Sequence, residues 1–206
     1  MKMLLLMLGV GICCAQPQRG PYVSKFRLER AGGPLYATVA GSEEKIADAA
    51  LGAWLIDDGK QVAYSSADGV GGFENEGQAL RIWDLSTGKT TKILAESFEI
   101  MRVETARSIR GKAALLVTME DGGLGASHVA VVDPGRGEVW VRHGARFGAK
   151  QKGAVSVEWY RDADWALLQE KQIVKPYRIR RYDLDALLAR PVAIPTPRPQ
   201  VSPKKQ

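Results

Sequence analysis

Three strand-like runs in this chain end in aspartate at a near-constant interval. Leu80-Arg81-Ile82-Trp83 runs into Asp84, Ala130-Val131-Val132 into Asp133, and Ile179-Arg180-Arg181-Tyr182 into Asp183, 49 and 50 residues apart. A fixed period of this size marks a chain assembled from one supersecondary unit used several times. The turns that follow share their chemistry. Asp84-Leu85-Ser86-Thr87-Gly88 and Asp133-Pro134-Gly135-Arg136-Gly137 both place a glycine four residues beyond the aspartate. An aspartate there accepts from the turn's backbone N–H groups, so the recurrence reads as structural rather than catalytic.

Within the first full unit, residues 51–97, Trp54-Leu55-Ile56 and Gln61 to Ser66 are β runs joined through Asp57-Asp58-Gly59-Lys60, a hairpin signal. The second unit, 101–146, puts Arg110-Gly111-Lys112 at the corresponding place. In the third, 154–190, Val155 to Tyr160, Trp165 to Lys171 and Tyr177 to Tyr182 read as strands, with Asp162-Ala163-Asp164 as a turn and Asp185 to Arg190 as a short helical turn. Residues 22–50 form a partial unit of two strands, followed by Ser42-Glu43-Glu44-Lys45 as a loop or one helical turn. The fold class is therefore all-β: antiparallel, four-stranded, blade-like repeats making a small or partial β-propeller over 22–190, with a β-sandwich as the alternative. Closure normally takes 4–8 blades; the partial unit at 22–50 could supply a small fourth blade, and otherwise the array stays open or closes only with a second chain.

Asp58-Gly59-Lys60, together with Leu80 to Lys89, resembles the turn chemistry of WD-repeat and TolB-like β-propellers of exported bacterial proteins. In those families an Asp-Gly-Lys hairpin joins the inner strands and a Trp-Asp pair ends the third. The resemblance is good over 54–94, fair over 101–146 and poor over 154–197. It implies a propeller-like binding module.

The ends of the chain differ from its middle. Met1-Lys2, the apolar run Met3 to Cys14 and a cut after Ala15 have the anatomy of a secretory signal peptide, 1–15, too short to span a bilayer. A retained N-terminal anchor is the alternative, and a lipoprotein signal is disfavoured by Ile12 and Cys13 before the two cysteines. Cleavage removes both cysteines of the chain, which fits the periplasm or secretion without disulfides. Residues 16–21 read as a flexible N-terminus. Residues 191–206 read as a Pro-rich, basic, disordered tail, able to touch an anionic envelope surface. A net charge of +6 suits anionic partners, while export argues against nucleic acid.

Motifs for catalysis are absent. His128 and His143 are the only histidines, without metal-ligand spacing, and no Gly-x-Ser-x-Gly elbow is present. Ser127 and His128, adjacent on a strand, point to opposite faces. No cofactor or metal is expected. The loop with Asp68, Glu74 and Glu76 lacks calcium-loop spacing and reads as a solvated acidic loop. The five tryptophans read mainly as packing between units.

The expectation is an exported, non-catalytic scaffold that binds a protein, peptide or glycan. Its loops at 67–78, 120–128 and 170–177 join second to third strands on one side, with Asp68, Phe73, Glu74, Glu76, Asp121, Lys175 and Tyr177 as contact candidates. The competing expectations are an enzyme or enzyme subunit acting on carbohydrate or peptide through Glu104, Glu158, Asp162 or Asp164, and a structural envelope protein. A homo-oligomer is compatible with each.

Overall fold

The computed structural model describes residues 21–69, 77–122 and 125–192. The signal segment, residues 16–20 and the end of the tail from residue 193 lie outside the described residues, as do Phe73, Glu74 and Glu76.

Four antiparallel sheets follow one another along the chain, each a simple meander. The first holds β1 (Val23–Leu28), β2 (Gly33–Val39) and β3 (Ser42–Ala50). The second holds β4 (Gly52–Ile56), β5 (Gln61–Ser66), β6 (Ala79–Asp84) and β7 (Lys89–Ala95). The third holds β8 (Glu99–Arg107), β9 (Ala113–Glu120), β10 (Ser127–Asp133) and β11 (Gly137–Arg142). The fourth holds β12 (Ala145–Gln151), β13 (Ala154–Trp159) and β14 (Arg178–Asp183), with helix α1 (Asp162–Gln169) between the last two strands and α2 (Leu184–Leu188) after them. This is the all-β, blade-like array expected. Four sheets in series replace the sandwich alternative.

The local picture differs from the sequence reading in three places. Ser42 to Lys45 starts β3 rather than forming a loop or helical turn. Ala145 to Gln151 is the first strand of the fourth sheet, which therefore begins before residue 154. Trp165 to Lys171 is not a strand: Trp165 lies in α1, whose start is held by the Asp164 carboxylate accepting from the Arg161 N–H at 2.8 Å. An acidic first turn with Trp165 and Leu168 three residues apart is a helix signal that outweighed the β-propensity of the tryptophan.

Three buried cores join consecutive sheets. Val62, Tyr64 and Trp83 meet Leu35 and Ala37 between the first and second. Leu80 and Ile82 meet Leu115, Val117 and Met119 between the second and third. Leu116, Val129 and Trp140 meet Val157, Trp159 and Leu187 between the third and fourth. The middle sheets are thus buried on both faces. That is why β9 and β10 carry nearly unbroken apolar runs instead of alternation. Each fully buried leucine here contributes about 2 kcal/mol of transfer free energy. The first sheet turns a charged outer face to solvent, where Arg27 lies over the Tyr36 ring and pairs with Glu43.

The turn aspartates do what their recurrence implies. Asp84 Oδ1 accepts from the backbone N–H of Ser86 and Thr87, at 3.0 and 3.1 Å. Asp133 Oδ1 accepts from Gly135 N–H and Asp183 Oδ1 from Ala186 N–H. The Asp58-Gly59 hairpin closes through Lys60 N–H to the Asp57 carbonyl at 3.1 Å. Asp58 at φ 54 and Gly59 at φ 83 give the backbone twist that suits paired strands.

Candidate binding face

The two ends of the sheets are built differently. At one end every connection is short and locked. Beside the Asp58-Gly59 turn, Arg107 reaches Asp57 at 3.2 Å, and the Asp185 carboxylate accepts from Arg110 N–H. Arg136 donates to the backbone carbonyls of Leu188 and Arg190. A cavity of about 870 Å³ opens here, walled in part by Tyr22, Asp57, Asp58 and Asp84. Asp57 and Asp84 are already occupied by Arg107 and by turn N–H groups.

At the other end stand the long second-to-third connections, 67–78, 121–126 and 160–177. Asp68 closes the base of the first. Its carboxylate accepts from the Ser66 hydroxyl and meets Arg81 and Lys92, while Gly69 N–H bonds the Gly77 carbonyl at 2.9 Å. The Ser66 hydrogen bond, followed by Lys92 and Arg81, holds the Asp68 carboxyl far below the usual carboxylate range. Asp68 is therefore a clamp beneath its loop. Buried Gln78 ties this connection to the third sheet: its side-chain oxygen accepts from Ile100 N–H at 3.0 Å, and its carbonyl accepts from Glu96 N–H at 2.9 Å.

Next along this end lies an aromatic and histidine cluster. Phe98 stacks on His128 with ring centroids 4.0 Å apart, and His128 Nδ1 is 3.3 Å from His143 Nδ1. Gly144 N–H also points at His128 Nδ1, at 3.4 Å. Nδ1 of His128 is then the acceptor, which places its proton on Nε2, 3.6 Å from the Asp121 carboxylate. Burial, with His143 adding to it, pushes the His128 pKa below its ordinary value, against the pull of Asp121. Asp121 thus stands at the head of an Asp–His–His array. Ser127 lies on the opposite face of β10, where its hydroxyl accepts from Arg146 at 3.3 Å, so it forms no nucleophile–base pair with His128. Among the described residues, no group of three or more His, Cys, Asp or Glu is placed to hold a metal ion.

The third connection leans on the second. Trp165, 1% exposed, packs with Tyr160 and with Ala126 of the 121–126 turn. Glu158 accepts from the Tyr160 hydroxyl at 2.9 Å, and burial, aided by Glu158, raises the Tyr160 pKa to about 12. Lys175 and Tyr177 follow on the exposed return to β14, with the Tyr177 N–H bonded to the Trp159 carbonyl at 3.0 Å. The structure thus links the Asp121 turn to the connection that carries Lys175 and Tyr177, and leaves Asp68 in its own clamp on the second sheet. Sequence reasoning missed Phe98 and Trp165 as organisers of this face. His128 and His143 showed only that they lack metal-ligand spacing, and their mutual contact had no signal in the sequence.

The acids of the competing expectation are dispersed. Glu104 is occupied by Arg102 and Lys150. Glu158 pairs across the strands with Arg146, on the face of the fourth sheet opposite Lys150. Asp162 and Asp164 belong to the first turn of α1.

No family model matches the chain, and no curated protein matches it. Among solved structures it is similar to the β-propeller domain of the Trilobed protease from Pyrococcus furiosus, described as having an open velcro topology. The identity is 16% and the TM-score 0.44, over 67% of this chain and 48% of the other. The chain spans about half the length of that structure. The architecture given above rests on strand pairing and the three cores.

Proposed function

We propose that this protein is an exported, non-catalytic scaffold that binds a protein or peptide through the end of its sheets where the long connections gather. One observation carries the reading. Among the described residues, Gln78, the Phe98–His128–His143 cluster and the Trp165 platform link the bases of connections from successive sheets at this end, while the opposite end is locked by short turns. Rigid sheets presenting long connections are the usual way to build a recognition surface. The likeness of the Asp58-Gly59-Lys60 and Trp83-Asp84 turns to WD-repeat and TolB-like propellers points the same way. The N-terminal segment supplies the export signal, with cleavage after Ala15.

The test has two parts. Mass spectrometry of the protein from its own cells should give a chain starting at Gln16. Replacing 69–76 with a two-residue turn, or Lys175 and Tyr177 with alanine, should remove capture of the partner that the wild-type chain binds, with an unchanged circular dichroism spectrum. Capture that survives both changes would end the reading.

A further inference from the structure

The first and fourth sheets each stop one strand short. In the second and third sheets the third strand is covered by a fourth, β7 or β11, whereas β3 and β14 have nothing beyond them among the described residues. Such an edge presents a row of unpaired N–H and C=O groups and accepts another strand unless something prevents it. Here the side chains choose between partners. β14 carries Arg178, Arg180 and Arg181 against Asp183, and β3 carries Glu43, Glu44 and Asp48 against Lys45.

The arginines of β14 stand apart from others in the chain. Arg27, Arg81, Arg102, Arg107 and Arg136 each meet a carboxylate. Arg178 lies over the Trp159 ring, and Arg180 and Arg181 carry no ion pair among the described residues. Glu44 on β3 is likewise exposed, with no ion pair among the described residues. Ile179, 59% exposed, adds apolar surface along β14.

Like charges facing each other disfavour β14 against β14 and β3 against β3. Opposite charges favour β14 against β3. The tail of the same chain is a poor cover for β14, since it shares the positive sign and holds Pro195, Pro197 and Pro199, which donate no ladder hydrogen bond.

We infer that a second copy of this chain supplies the missing strand. In a two-fold dimer, β14 of each protomer pairs with β3 of its partner, so both short sheets are extended at once. The contact is small, and an affinity on the order of 10 μM is expected. This inference is independent of the proposed binding role.

Sedimentation equilibrium of the chain from Gln16, which omits none of the described residues, tests it. The wild-type chain should pass from one to two chains in mass across the micromolar range. The paired change Arg180→Glu and Arg181→Glu should leave a monomer with an unaltered β spectrum, as should Glu44→Arg. Mixing the two variants should restore a dimer at least tenfold more readily than either alone, because both contacts of the mixed dimer then join opposite charges, whereas each variant alone sets like charges against each other in both. A chain ending at residue 192 should dimerise like wild type. A wild-type monomer at 200 μM, about twenty times the expected constant, would overturn the inference and leave the charges as guards against edge pairing. A dimer indifferent to both variants, a mixture that stays monomeric, or a dimer lost with the tail would overturn it too.

Discussion

Replacing Asp84 with asparagine isolates the charge of a turn anchor while keeping one acceptor oxygen. In the folded chain the carboxylate accepts from Ser86 Oγ and N–H, Thr87 N–H and Gln61 Nε2. The Ser86 hydroxyl and then Gln61 lead in holding its pKa down, at about 2 against an ordinary 3.8. Because the folded value is depressed, this stabilisation is complete above pH 3.8 and is lost as pH falls toward 2. A shift of nearly two units corresponds to roughly 2 kcal/mol, and partial exposure to solvent reduces it to about 1–1.5 kcal/mol. Urea unfolding at neutral pH should therefore find Asp84→Asn less stable than wild type by about that amount, with equal m-values. Near pH 2 most of the gap should close, since the wild-type carboxyl is then about half neutral and has lost most of its stabilising effect. A gap of the same size at both pH values would show that the charge of Asp84 does not anchor the turn.

Three further outcomes follow from the geometry. His128 is buried beside Phe98 and His143 with a lowered pKa, so the chain should lose stability as pH falls below 6.5, and His128→Gln should flatten that part of the melting-temperature profile. Trp165→Ala should cost about 3–5 kcal/mol in chemical denaturation. Trp165→Phe should cost far less, because the indole N–H it removes is buried with no hydrogen-bond partner among the described residues. Gly59→Ala should destabilise by about 2 kcal/mol and Gly88→Ala by about 1. Both glycines have positive φ, but a Cβ at Gly59 would lie 2.8 Å from the Val23 carbonyl oxygen, while Gly88 has open space.

The middle of the fold was the most legible part of the sequence. Asp58-Gly59 and the turns after Asp84 and Asp133 depend on local backbone chemistry, so residue type alone announces them. The fourth sheet was harder. Its first strand, Ala145-Arg146-Phe147-Gly148-Ala149-Lys150-Gln151, has a bulge between Phe147 and Lys150 that breaks any alternation, and its α1 spans only about two turns, too few for its apolar spacing to stand out. β3 was obscured by Glu43, Glu44 and Lys45, charges that suit an edge strand with an exposed outer face but resemble a loop in composition. Of the candidate contacts, Asp121, Lys175 and Tyr177 were named from loop position, and the structure places all three at the end of the sheets that carries the second-to-third connections. Asp68 was named for the same reason, and the structure assigns its carboxylate to Ser66, Arg81 and Lys92. The Phe98–His128–His143 contact joins the link before β8, strand β10 and the link before β12, and no local pattern encodes that meeting.

The central claim is that one end of the sheets is the binding end. Photo-crosslinking in the protein's own cells addresses it, with a photoreactive residue placed in turn at Tyr177, Lys175, Ser86 and Gly135. The account predicts a shared adduct from Tyr177 and Lys175 and none from Ser86 or Gly135, which lie in the short turns of the opposite end. An adduct formed equally from both ends, or only from Ser86 and Gly135, would contradict it.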